Sequence, residues 1–147
     1  MASWKCRSSH AEPLKSEIST YRLSESGSTS SLTRLVSEQS EFFTVPALKG
    51  VRLHALFWGD RSRPIVVLLH GGGANAHWWD HLAAPLSDRY CAVALDFRGH
   101  GDSDHPAELT VGAFNHDLEA LLGYLKSPPI ALVGHSMGGH VALDHAS

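Results

Sequence analysis

Apolar residues fall along this chain in two alternating rhythms, one of strand length and one of helical spacing. Residues 65–69 (Ile-Val-Val-Leu-Leu) and 90–95 (Tyr-Cys-Ala-Val-Ala-Leu) are short continuous apolar runs, the pattern of strands buried on both faces of a parallel sheet. Residues 130–133 (Ile-Ala-Leu-Val) repeat it directly after Pro128 and Pro129. Residues 51–58 instead alternate Val51, Leu53, Ala55 and Phe57 with Arg52, His54, Leu56 and Trp58, the period of two that marks a strand. A further strand is expected at 41–45, joined to it as a hairpin through Ala47, Leu48, Lys49 and Gly50. Between the later strands the period lengthens. A short helix fits 78–86, and Thr110 can cap a helix reaching Lys126, with Val111, Phe114, Leu118, Leu121, Leu122 and Leu125 along one face. Ser127-Pro128-Pro129 stops it, and residues 137–145 form a last helical run. Strand, helix, strand, helix, strand in that order predicts an α/β fold: a mostly parallel sheet with crossover helices, fronted by an antiparallel hairpin.

Residues 1–40 carry neither period. They hold twelve serines and three threonines, and a stretch so poor in buried-type residues reads as a disordered tail, leaving 41–147 as the folded unit. An organellar transit peptide is disfavoured there by Glu12, Glu17, Glu25 and Glu38. The net charge of −3 without a basic block gives no footprint for nucleic acid or for an anionic membrane surface. No apolar run approaches the ~20 residues that cross a bilayer, and no secretory apolar core opens the chain, so a cytoplasmic protein is expected. Two cysteines cannot build a disulfide framework, and Cys91 inside a predicted strand behaves as a small apolar group.

The chemistry gathers at the ends of the predicted strands. Gly134-His135-Ser136-Met137-Gly138 follows the run at 130–133 and leads into the helical run. A serine between two glycines at a sharp strand-to-helix turn is the nucleophile-elbow pattern. The turn lifts the hydroxyl above the sheet in a strained backbone state, and side chains at 134 and 138 would crowd it. The strand at 65–69 opens into His70-Gly71-Gly72-Gly73, whose glycines free backbone N–H groups to face a ligand. After the strand ending at Leu95 comes Asp96-Phe97-Arg98-Gly99-His100-Gly101-Asp102-Ser103. Here Asp96 and Arg98 are expected to hold the loop by charge-assisted hydrogen bonds, and Gly99 and Gly101 to permit tight turns.

Taken together, these three motifs resemble the α/β-hydrolase fold family over residues 41–147, in family order and spacing. The resemblance implies a serine hydrolase working by acyl transfer on a small ester, thioester, lactone, amide or C–C substrate, with peracid formation also open and no cofactor or metal. Ser136 would be the nucleophile, and the N–H groups of Gly72 and Met137 the oxyanion hole. Gly134, Gly138, His70, Gly71 and Gly73 would support the elbow and loop. Family branches that displace halide or open epoxides carry aspartate at the elbow, which disfavours them for a chain with Ser136. The family order places the triad acid and histidine after the serine, so both are expected beyond Ser147, making this the N-terminal part of such a domain. The oligomeric state stays open.

Eleven histidines invite a substitute base inside the chain, but His135 adjoins Ser136, His140 lies on its helix, and His70 is expected to brace the oxyanion loop. Trp78 and Trp79 are expected mainly in core packing, with an acyl pocket as the other possibility. A non-catalytic interaction module or pseudoenzyme is the alternative reading. A dinucleotide-binding reading rests on Gly71-Gly72-Gly73-Ala74-Asn75-Ala76 with Asp96 as the ribose acid. Metal readings rest on His100, Asp102, Asp104 and His105, or on His77, Asp80 and His81.

Overall fold

The computed structural model describes residues 38–45, 50–110, 112–125 and 127–147. The tail at 1–37 and the hairpin residues 46–49 lie outside the described residues. All five expected strands form: β1 (Glu38–Val45), β2 (Val51–Trp58), β3 (Ile65–Leu69), β4 (Cys91–Asp96) and β5 (Ala131–Gly134), in the order β1-β2-β4-β3-β5. β1 starts at Glu38 rather than at residue 41. Glu38, Gln39 and Ser40 have no apolar period, but they pair with Trp58, Phe57 and Leu56, so the partner strand sets their conformation.

β3 pairs in parallel with both β4 and β5, whereas β2 runs antiparallel to β1 and to β4. Over the described residues the sheet is thus mixed, with a parallel part in β4, β3 and β5 and the antiparallel hairpin at its front, as expected. The hairpin does not merely precede the parallel strands; it is built onto them through the β2–β4 ladder, with β4 inserted between β2 and β3. A 3₁₀ turn (Ala76–Trp79) runs into α1 (Asp80–Leu86) and carries the chain from β3 to β4. α2 (Ala113–Leu125) precedes β5, and α3 (Met137–His145) follows it. α2 begins later than the expected cap at Thr110, because Gly112 takes φ +76° and breaks the helical path. The Thr110 carbonyl still accepts a bond from the Ala113 N–H at 3.1 Å.

Two apolar layers cover the sheet. On one face Leu53, Ala55, Phe57, Val67, Leu69, Val93 and Leu95 pack with Leu118 and Leu121 of α2 and Val141 of α3. On the other, Leu56, Trp58, Val66, Leu68, Ala92 and Ala94 pack with Ala76, Trp79 and Ala83. The alternation in β2 thus separates two buried faces instead of an inside from an outside. Cover is thin around β5. Ile130 is 61% exposed, Val133 36% and Leu143 69%, all on or beside the outermost strand β5 and on α3. No helix among the described residues is long and apolar enough to cross a membrane.

Candidate active site

Ser136 sits where β5 ends and α3 begins, with φ +50° and ψ −112°. It is the one non-glycine residue with positive φ among the described residues, a conformation that costs of order 1–3 kcal/mol and persists only where its surroundings over-determine it. Those surroundings are backbone. The His135 N–H donates to the Leu69 carbonyl at 3.0 Å, and the Gly138 N–H to the His70 carbonyl at 3.1 Å, pinning the turn against the end of β3. A Cβ on Gly138 would overlap the Leu69 carbonyl, and one on Gly134 would overlap the Gly138 carbonyl. The two glycines are therefore required by close approach, as the elbow pattern predicts, and Ser136 itself is exposed.

The His70–Gly73 loop lies beside this turn. Gly71 is buried, and a Cβ on it would press on the His135 ring, 2.7 Å from Nδ1. Gly72 is exposed with open space around its Cα, and Gly73 turns the chain with φ +73°. Met137 occupies the first position of α3, where an N–H has no intrahelical acceptor. Both expected oxyanion donors thus belong to adjacent segments at the same end of the sheet.

His70 is fully buried. Its Nε2 accepts the Phe97 N–H at 3.2 Å, which leaves Nδ1 to donate to the Gly71 carbonyl at 2.8 Å. That pairing needs the neutral ring, and burial pushes its pKa down, in the same direction. His70 ties the glycine loop to the start of the Asp96 loop and carries no spare nitrogen for a base.

The Asp96 loop is held as expected at its first residue. Asp96 Oδ1 accepts the Ala76 N–H at 2.6 Å, and Oδ2 accepts His54 Nδ1 at 2.7 Å and the Asp102 N–H at 3.0 Å. Burial alone would raise the Asp96 pKa, but these donors outweigh it and hold the carboxyl below its ordinary value. Gly99 and Gly101 take φ +77° and +50°. Arg98 turns the other way and meets Asp117 of α2: its Nε and Nη2 reach Oδ1 at 2.9 and 2.6 Å, and its N–H reaches Oδ2 at 3.0 Å.

The remaining histidine candidates are otherwise engaged. The His135 ring stacks on Trp78 at 5.7 Å, and His140 Nδ1 donates to the Ser136 carbonyl at 3.2 Å rather than meeting the hydroxyl. The tryptophans divide: Trp79 is buried in the core, whereas Trp78 is 53% exposed over His135 at the mouth of the site. His77 pairs with Asp80, His100 packs between His70 and Phe114, and His105 reaches the Gly101 carbonyl. Among the described residues no group of three or more His, Cys, Asp or Glu side chains is gathered to hold a metal. The dinucleotide reading fails at Asp96, whose oxygens are taken up inside the protein, and at the loop, which enters a helix only at Ala76.

Residues 64–146, more than half of the chain, match the family model for the alpha/beta hydrolase fold. The chain belongs to the α/β-hydrolase fold family. Within this family it is similar to protein phosphatase methylesterase 1 of Bos taurus, 44% identical over 92 residues that make up 57% of this chain and 24% of that protein. It is also similar to epoxide hydrolase 4 of Mus musculus, 34% identical over 96 residues, 63% of this chain and 27% of that one. Among solved structures, the 2-hydroxy-6-oxo-6-phenylhexa-2,4-dienoate hydrolase of Rhodococcus sp. strain RHA1 superposes with a TM-score of 0.66 at 31% identity, covering 76% of this chain and 42% of that one. The chain spans about a quarter of the length of these curated relatives.

Two residues of this α/β-hydrolase unit that matter for the loops were not picked out from the sequence. Asp117 had a signal: it lies four residues from both Ala113 and Leu121, so it shares their buried helix face. His54 had none, because in an alternating strand a polar residue opposite Leu53 and Ala55 reads as solvent-facing until β4 brings Asp96 across from it.

Proposed function

We propose that Ser136 is the nucleophile of a serine hydrolase that cleaves small acyl substrates. In this reading the N–H groups of Gly72 and Met137 bind the tetrahedral oxyanion, and the base histidine and its orienting acid come from sequence outside these 147 residues. The strained φ of +50° at Ser136 between β5 and α3 carries the reading, since nothing in the packing of a plain strand-to-helix turn calls for a non-glycine residue there. Among the relatives one is named a methylesterase and another an epoxide hydrolase. A serine at the elbow favours ester over epoxide chemistry, because the hydroxyl forms an acyl-enzyme that a bound water then hydrolyses.

His70 keeps the donor loop neutral and rigid, and exposed Trp78 offers an aromatic wall for the acyl group. In a protein extended through the missing part of the domain, Ser136→Ala should reduce steady-state turnover of a short p-nitrophenyl ester by around 10⁶. Turnover surviving that substitution would remove the assignment. The 147-residue chain should show at most the residual catalysis of about 10³–10⁴ over water that an oxyanion site supplies without a triad.

A further inference from the structure

A second serine in this chain already faces a base. Ser40 of β1 places its hydroxyl oxygen 2.8 Å from His54 Nε2, and His54 Nδ1 lies 2.7 Å from Asp96 Oδ2. Ser40 is exposed, while His54 and Asp96 are 1% and 2% exposed beneath it. Nucleophile, base and orienting carboxylate within hydrogen-bond reach, with the base oriented by the third group, is the arrangement that activates a hydroxyl whatever its place in the chain.

The tautomer follows from the partners. An ionised Asp96 can only accept, and it already takes the N–H groups of Ala76 and Asp102. Neutral His54 must therefore carry its proton on Nδ1 toward Asp96, which leaves the Nε2 lone pair to accept the Ser40 O–H. The backbone that carries the base is also held: the main-chain N–H of His54 donates to Ser103 Oγ at 2.8 Å, and that hydroxyl donates to the main-chain carbonyl of Asp96 at 2.6 Å. Beside Ser40 on the same face of β1, Phe42 is 42% exposed, with its ring 4.8 Å from that of His54 and the Arg52 guanidinium 4.7 Å above it. This is an open aromatic surface next to the hydroxyl.

We propose that Ser40, His54 and Asp96 form a second nucleophilic site, separate from Ser136, which accepts the acyl group of activated aryl esters. His54 Nε2 takes the Ser40 proton as Oγ attacks the ester carbonyl. The tetrahedral adduct then collapses, the C–O bond to the aryloxide breaks, and the phenol leaves with the proton from His54. The product is O-acyl-Ser40. Deacylation is slow, so the signature is a burst of about one equivalent of phenol rather than sustained turnover. A fluorophosphonate reacts likewise, with an Oγ–P bond forming, the P–F bond breaking and the proton leaving with fluoride.

The test uses the 147-residue chain at submicromolar concentration, checked for a native circular-dichroism spectrum, with p-nitrophenyl acetate for the burst and a fluorophosphonate probe mapped by peptide mass spectrometry. The unsubstituted chain and Ser136→Ala should both give the burst and both carry the label on Ser40, and Ser40→Ala should give neither. Ser40 is exposed, so Ser40→Ala leaves the core intact. His54→Gln should slow labelling by about 10²-fold or more, as loss of a general base does. Label on Ser136 alone, no label on folded chain, or a burst surviving Ser40→Ala would each overturn the proposal. A His54 that only braces the Asp96 loop would leave Ser40 no more reactive than an ordinary serine.

Discussion

At the scale of single residues, the elbow depends on atoms that are absent. Gly138→Ala should cost about 1–3 kcal/mol, because the new methyl meets the backbone carbonyl of Leu69, which cannot rotate away as a side chain could. Gly72→Ala is the control: its Cα faces open space at negative φ, so stability should be unchanged. Urea unfolding of both variants separates the two cases, and equal effects would show that the close approach at Gly138 is not what holds the turn. Asp96 allows a second prediction at this scale. Its carboxyl is held below its ordinary value near 3.8, so the stability it contributes is fully present above that value and is lost as pH falls through the lowered one. Between about pH 5 and about pH 2, the native chain should therefore lose more stability than Asp96→Asn does. Thermal unfolding across that window checks it, and parallel pH profiles would place the acid sensitivity elsewhere.

At the scale of elements, one ion pair joins the loop after β4 to helix α2. Arg98 and Asp117 are both buried, with three hydrogen bonds between them. Burial pushes the Asp117 carboxyl up and outweighs the pull of Arg98, the mark of a pair whose desolvation offsets its attraction. Removing one partner is then far worse than removing both. Asp117→Ala should destabilise by about 3–5 kcal/mol by leaving a buried guanidinium unmatched, whereas Arg98→Met with Asp117→Leu should recover most of that loss. A double variant as unstable as the sum of its singles would show that the two residues act independently.

At the scale of the whole molecule, the weak point is β5. It pairs on one side with β3, and in the order of the described strands it stands outermost, with Ile130 and Val133 exposed along it and Leu143 exposed on the helix that follows. A flat apolar edge with unpaired backbone groups is a template for another strand. The isolated chain is expected to self-associate at micromolar concentration, and Ile130→Lys should reduce this by placing a charge on that edge. Sedimentation velocity gives the answer directly. A monodisperse monomer with one sharp thermal transition would mean that the unit closes its own edge.

The sequence by itself determined the strands at 65–69, 90–95 and 130–133, within a residue of β3, β4 and β5, and the turn at Ser136, since continuous apolar runs and flanking glycines are local signals that need no partner to be read. The elbow glycines were legible for the same reason: close approach of backbone admits only one residue type. The tertiary structure decided what depends on a neighbour. β1 reaches back to Glu38 because β2 offers a ladder to pair with, and the outer row of β2 is buried because α1 and the 3₁₀ turn cover it. Ser40, His54 and Asp96 are fourteen and forty-two residues apart in turn, and no periodicity in the chain records that separation. Their meeting follows only from the register of β1 on β2 and of β2 on β4, which is fixed by side-chain packing across the whole sheet.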